Sequence, residues 1–181
     1  MSEKTDFIAI DVETANNSPG SICQIGIVLY RGGKEYREWD SLVNPGQPYN
    51  FYNVRVHGIT ETDTRNSPVF GDVAGELSEL LQGNNVVSHT FFDRTAMTQA
   101  FSDSGNAMPG TAWYDSVKIA RKAWPLIEGG SYGLKNLCRI LEFEFKHHDA
   151  LEDAKAAGNV VLKAADKLGV GFEELFSMLK K

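Results

Sequence analysis

Phe7-Ile8-Ala9-Ile10-Asp11-Val12-Glu13-Thr14 is the stretch on which the fold of this chain turns. The apolar run from Phe7 to Ile10 describes a strand buried on both faces, and two acids follow it closely. Residues i and i+2 of a strand point to the same face, so Asp11 and Glu13 project together from its end. Two carboxylates side by side repel unless a cation or a proton lies between them. Hard divalent cations take such oxygen ligands, often together with substrate phosphates. An Asp-x-Glu pair is also a common accident, and an exposed strand end is the plainer alternative. The buried strand in front of the pair weighs against that alternative, because open α/β sheets place their sites at strand ends.

At 181 residues the chain fits one domain spanning 1–181, with room for a substantial core. Its 42% hydrophobic and 23% charged content is that of a soluble globular protein. No run approaches the ~20 apolar residues that a membrane span needs. The polar start from Met1 to Asp6 lacks the apolar segment of a signal peptide, so a cytoplasmic location and no membrane partner are expected. Cys23 and Cys138 sit in apolar stretches without metal-ligand spacing and read as buried free thiols. A net charge of −6 argues against gripping long nucleic acid by charge alone, although a carboxylate cluster awaiting cations would itself contribute to it.

Outward from the first strand, Ser21 to Tyr30 reads as a second strand and Glu35 to Val43 as a third, joined by the Arg31-Gly32-Gly33-Lys34 turn. Asn44-Pro45-Gly46-Gln47-Pro48 opens a loop expected to run to about Arg55. Thr60 with Asp63 forms a candidate capping box. A helix from Pro68 presents Val69, Val73, Leu77, Leu80 and Leu81 on one face. Val86 and Val87 form a short strand, and Asp93 stands near the start of a helix running to about Asp103. Ala112 to Ser116 is another short strand, followed by a basic helix from Val117 to Trp124. Ser131 is the expected cap of a helix facing the core with Leu134, Leu137, Cys138 and Leu141. His147-His148-Asp149 precedes a long helix from Ala150 to Leu168, and Gly169 to Lys181 adds a short closing helix. Strands followed by alternating helices and strands predict a three-layer α/β fold, in which strands one and four bring Asp93 near Asp11 and Glu13.

Taken singly, Asp93 or Asp153 at a helix start is more often a cap, and His148 a solvated loop histidine. In their order and spacing the three motifs resemble the DEDDh family of 3′–5′ exonucleases. Asp11-Val12-Glu13-Thr14 matches its first motif, Ser88-His89-Thr90-Phe91-Phe92-Asp93 its second, and His148-Asp149-Ala150-Leu151-Glu152-Asp153-Ala154 its third. His57-Gly58-Ile59-Thr60 and Tyr114-Asp115-Ser116 are similar to secondary segments of the family. Ser88-His89 departs from the more usual His-Asn. Counting five residues back from Asp153 selects His148 over His147 for the third motif.

The resemblance implies a ribonuclease H-like three-layer fold with a mixed five-stranded sheet flanked by helices. It implies that Asp11, Glu13, Asp93 and Asp153 bind two divalent cations, Mg²⁺ or Mn²⁺, with Asp11 bridging them and Asp93 acting mainly through water. His148 is the implied general base. Thr14, His57, Gly58, Ile59 and Phe92 are the implied contacts to the terminal nucleotide, with core packing as the alternative for Ile59 and Phe92. Lys118, Arg121 and Lys122 either follow the substrate backbone or form a solvated helix face. The expected partners are a single-stranded DNA or RNA 3′ end, with a DNA polymerase or a second copy of the chain as further possibilities. DNA is the favoured substrate. An RNA-trimming enzyme, an internally cutting ribonuclease H-like nuclease and a catalytically silent binding subunit are the competing readings.

Overall fold

Alternation along the first strand sorts the whole molecule into layers. The computed structural model describes residues 5–127 and 129–180. The first four residues of the polar start, and Lys181 of the closing segment, lie outside them. Strands β1 (Phe7–Thr14), β2 (Ile22–Arg31) and β3 (Lys34–Leu42) form an antiparallel meander. Gly32 and Gly33 turn the β2–β3 hairpin at φ 58° and 70°, values that favour glycine. Helices α1 (Phe51–His57), α2 (Glu61–Thr64) and α3 (Phe70–Leu81) lead to β4 (Asn85–Ser88), which pairs in parallel with β1. Then come α4 (Phe92–Asp103), β5 (Ala112–Asp115), α5 (Ser116–Ala123), α6 (Leu134–Ile140), α7 (Ala150–Leu168) and α8 (Phe172–Ser177). The sheet runs β3-β2-β1-β4-β5, the mixed five-stranded arrangement expected.

On β1, Ile8, Ile10 and Val12 enter one core with Leu77 and Leu81 of α3 and Met97 and Phe101 of α4. Phe7 and Ala9 enter the other, with Val28 and Tyr30 of β2 and Val161 and Ala164 of α7. Phe7 stacks on Tyr30 at 4.5 Å. Asp11 and Glu13 continue the row of Phe7 and Ala9, so they face the layer that contains α7. Cys23 and Cys138 are buried and unpaired. Among the described residues no helix is long and apolar enough to cross a membrane.

Three local expectations need correction. The segment read as a loop to about Arg55 contains α1, capped by Asn50 Oδ1 on the Tyr52 N–H at 2.8 Å and closed by Gly58 at φ 80°. None of its residues is buried, so it has no apolar stripe to read. Helix α3 starts at Phe70 and buries Phe70, Ala74, Leu77 and Leu81, because the Phe70 ring packs edge-on against Phe101 at 5.1 Å. That rotation leaves Val69 exposed and Val73 and Leu80 at the margin. Helix α6 is capped at Gly133, and Ser131 instead accepts the Gly133 N–H on its hydroxyl at 3.3 Å and Asn136 Nδ2 on its carbonyl at 2.8 Å. Strand β3 lies at the sheet edge with Tyr36 exposed under the Arg31 guanidinium, 3.7 Å from the ring centroid.

Candidate active site

Across from Asp11 in the β1–β2 register stands Gly26, and across from Glu13 stands Gln24. A Cβ on Gly26 would collide with the backbone of Ala150 and Leu151, so the bare glycine lets the start of α7 descend onto the sheet. Gln24 fixes that start: its Oε1 accepts the Ala150 N–H at 3.2 Å, while its Nε2 donates to Asp40 Oδ1 at 3.2 Å. Asp153 follows one turn into α7 and therefore arrives above Asp11 and Glu13. Carboxylate oxygens of Asp11, Glu13 and Asp153 lie within 4.8 Å of one another. The donor set is all hard oxygen, the type that Mg²⁺ and Mn²⁺ take. These residues fit such an ion.

Asp93, buried at the start of α4, is anchored differently. Its Oδ1 accepts the Val12 N–H at 3.0 Å, tying the second motif to the first. Crowding shows in the protonation equilibria. Burial, then Asp93, Asp153 and Glu13, raises the Asp11 carboxyl well above the usual carboxylate range. Burial first, and the neighbouring acids after it, raises Glu13 to about 8. Burial raises Asp93 to about 7 against the opposing hydrogen bond from Val12. A site that concentrates negative charge in this way accepts either protons or cations.

The structure places both adjacent histidines on Asp153. His147 Nδ1 lies 2.8 Å from Asp153 Oδ1, and the His148 backbone N–H donates to Oδ2 at 2.8 Å. The two imidazoles stack at 3.9 Å. His148 sits at φ 67°, and burial followed by His147 lowers its pKa, which leaves the ring neutral near pH 7. His147 is the residue that motif counting passed over; the adjacent His-His pair was its only signal. Among the described residues three non-glycine positions have positive φ, and two of them, Thr90 and His148, line the cleft over the acids. Thr90, β-branched at φ 86°, is held by Asp115 Oδ1, which accepts its N–H at 3.2 Å and that of Val117 at 2.8 Å. Backbone strain of this kind costs about 1–3 kcal/mol and persists where surrounding contacts enforce it.

The cleft encloses about 270 Å³ and is lined by Asp11, Glu13, Asp93, Asp153, His147 and His148 along with Phe92, His89 and Leu134. Phe92 is 47% exposed at its rim, which excludes core packing. At the Ser88-His89 departure, Ser88 is buried with its hydroxyl donating to the Thr90 carbonyl, and His89 Nδ1 meets Ser116 Oγ at 2.7 Å. Thr14 is buried, and neither it nor His57, Gly58 or Ile59 is among the residues lining the cleft; Thr14 is reached from α1. Asn53 Nδ2 donates to its carbonyl at 2.9 Å, and His57 Nε2 lies 3.2 Å from the same oxygen. Because the Ile59 N–H donates to His57 Nδ1 at 3.0 Å, the ring proton is on Nε2 and points at Thr14. Gly58 supplies the left-handed turn that brings Ile59 back to His57. Lys118, Arg121 and Lys122 are exposed on α5 and line no part of this cleft; Lys118 Nζ sits 5.2 Å from the Phe91 ring and Arg121 5.0 Å from Tyr132.

A family model of the RNase T type, described as an exonuclease, matches residues 8–161. The 3′-5′ exonuclease DinG of Bacillus subtilis is 30% identical over 170 residues, covering 91% of this chain and 18% of the relative. DNA polymerase III PolC-type of Bacillus cereus is 26% identical over 178 residues, covering 96% of this chain and 12% of the relative. The chain thus spans less than a fifth of the length of these relatives. Among solved structures, Exonuclease X in complex with 5′ overhanging duplex DNA superposes with a TM-score of 0.73 at 23% identity, covering 93% of this chain and 96% of that one. E. coli Exonuclease I in complex with an oligonucleotide superposes at 0.81 and 18% identity, covering 97% and 43%. These two likenesses establish the shared ribonuclease H-like fold.

Proposed function

The chain belongs to the DEDDh type of 3′–5′ exonuclease family, and from that premise we propose that it hydrolyses single-stranded nucleic acid from the 3′ end, DNA in preference to RNA, releasing nucleoside 5′-monophosphates. The observation that carries this reading is the convergence of Asp11, Glu13 and Asp153 within 4.8 Å, with a histidine side chain and a histidine backbone amide both on Asp153. Asp11, Glu13 and Asp153 would hold two divalent cations, Mg²⁺ or Mn²⁺, with Asp93 completing the set. Such ions stabilise both the attacking and the leaving oxygen of an in-line displacement at phosphorus.

The chain's own groups do the rest. A neutral His148 accepts the proton of the attacking water on an imidazole nitrogen. As the new phosphorus–oxygen bond forms, the bond to the 3′ oxygen of the penultimate nucleotide breaks, and that oxygen takes up a proton from solvent. Asp153 holds His148 through the backbone amide and His147 through its ring, so both histidines keep their places beside the acids. Thr14, set by Asn53 and His57, meets the terminal nucleotide, with Ile59 beside it. Phe92 at the rim offers a face for a base.

Digestion of matched DNA, RNA and dinucleotide substrates with Mg²⁺ or Mn²⁺ tests the assignment. The expected result is mononucleotide release, at least tenfold faster from DNA, which corresponds to ~1.4 kcal/mol of differential transition-state binding. Faster release from RNA would transfer the chain to RNA trimming, and internal cleavage would overturn the reading.

A further inference from the structure

Leu134 and His147 line two depressions at once. One is the cleft over the acids; the other is a groove of about 530 Å³ along α6, bounded also by Lys135, Asn136 and Arg139. The groove therefore adjoins the cleft, with Leu134 and His147 on their common wall. Its chemistry differs sharply from that of the acids beside it. Lys135 and Arg139 are exposed on its wall. Asn136 orients the guanidinium: its Oδ1 accepts Arg139 Nε at 3.4 Å and Nη2 at 3.2 Å, while its Nδ2 is tied to the Ser131 carbonyl at 2.8 Å. An anchored guanidinium loses less freedom when it meets an anion. The distribution of charge points the same way. Residues 116–140 carry five Lys or Arg and one acid in a chain whose net charge is −6.

We propose that this groove binds the sugar-phosphate backbone of the strand just upstream of the scissile bond, with Lys135 and Arg139 each meeting a phosphate. The proposal rests on the exonuclease reading above and adds a substrate path to it. Helix α1 packs on Thr14, whereas Leu134 and His147 bound the cleft beside Asp153. A strand with its terminal nucleotide at Thr14 passes the acids and leaves along α6. Contacts of this kind read phosphate and not base, so they extend grip without sequence preference.

The test compares the wild type with the double variant Lys135→Ala/Arg139→Ala on substrates from a dinucleotide to a decanucleotide. For the wild type, KM falls by about tenfold with length, and log KM rises with log salt concentration. In the double variant the length dependence flattens to about twofold, and the salt slope on the decanucleotide drops by about 1.4, the value for two single-strand phosphates. The charge-keeping variant Lys135→Arg/Arg139→Lys retains both. A double variant with undiminished length dependence and salt slope would overturn the α6 path alone. A wild type inert on every length would bring down the exonuclease reading, and this path with it.

Discussion

Gly26 on β2 lies against the backbone of Ala150 at the start of α7, leaving no room for a Cβ between them. This close approach is what brings Asp153 of the third motif over Asp11 of the first, since Gly26 pairs with Asp11 in the sheet register. The site is therefore built on a glycine that belongs to none of its motifs.

Gly26→Ala should push the start of α7 off the sheet. Overpacking of this kind costs about 1–3 kcal/mol, and a displacement of about 1 Å at the chemistry costs roughly a hundredfold in rate. Urea unfolding and nuclease assays on the same preparation check both numbers. A variant with wild-type stability and rate would show that α7 is not positioned through Gly26.

The two histidines make separable predictions. His148→Ala should lower kcat by about 10²- to 10⁴-fold, the range for a lost general base. His147→Ala removes a side-chain partner of Asp153 Oδ1 and should cost about tenfold. Single-turnover rates for both variants decide the matter. If His147→Ala proved the more damaging, the base would be His147 and not His148.

Thr14 depends on α1 for its placement. Asn53→Ala deletes the donor to its carbonyl and should raise KM by about fivefold, in keeping with the ~1 kcal/mol net worth of a hydrogen bond. Steady-state kinetics on a short single strand would reveal it. An unchanged KM would remove Thr14 from the nucleotide pocket.

Crowded carboxyls also fix the sign of a stability change with pH. Burial, with Asp153 and Asp93 next, raises Glu13 from 4.5 to about 8. Asp93 rises to about 7, chiefly through burial. Between the ordinary carboxylate range and these values the folded protein holds protons that the unfolded chain has shed. Stability is therefore highest on the acid side of the window and falls as pH rises through it, by at most ~1.4 kcal/mol per pH unit for each group. The metal-free protein should melt at a lower temperature at about pH 8 than at about pH 5, and Mg²⁺ or Mn²⁺ should restore Tm at the higher pH. Glu13→Gln should flatten the fall. A metal-free Tm that rises with pH across this window would contradict the crowding.

Much of this was legible in the sequence where one periodicity was repeated along an element. β1 announced itself by its apolar run, and α7 by its apolar face, on which Ala154, Ala157, Val161 and Ala164 are all buried. The three motifs gave the acids and His148 as candidates. What escaped was held by individual hydrogen bonds and not by a buried stripe. Helix α1 buries nothing and is secured by Asn50, Asn53 and His57. The turn of α3 depended on where the Phe70 ring went, a matter of packing that spacing alone leaves open. The contact of His147 with Asp153 lies beside a left-handed backbone at His148, a conformation uncommon outside glycine. Gly26 gave no signal, because its role lies in the helix that crosses it.

The central claim is that the acids at the end of β1 hold the divalent cations for hydrolysis from a 3′ end. Its most direct test follows a 5′-labelled single strand incubated with the wild type and with Asp11→Ala, each with Mn²⁺ and with chelator. The account predicts a ladder shortening one nucleotide at a time from the 3′ end, for the wild type with Mn²⁺ alone. Internal fragments, or a ladder that persists in Asp11→Ala or in chelator, would contradict it.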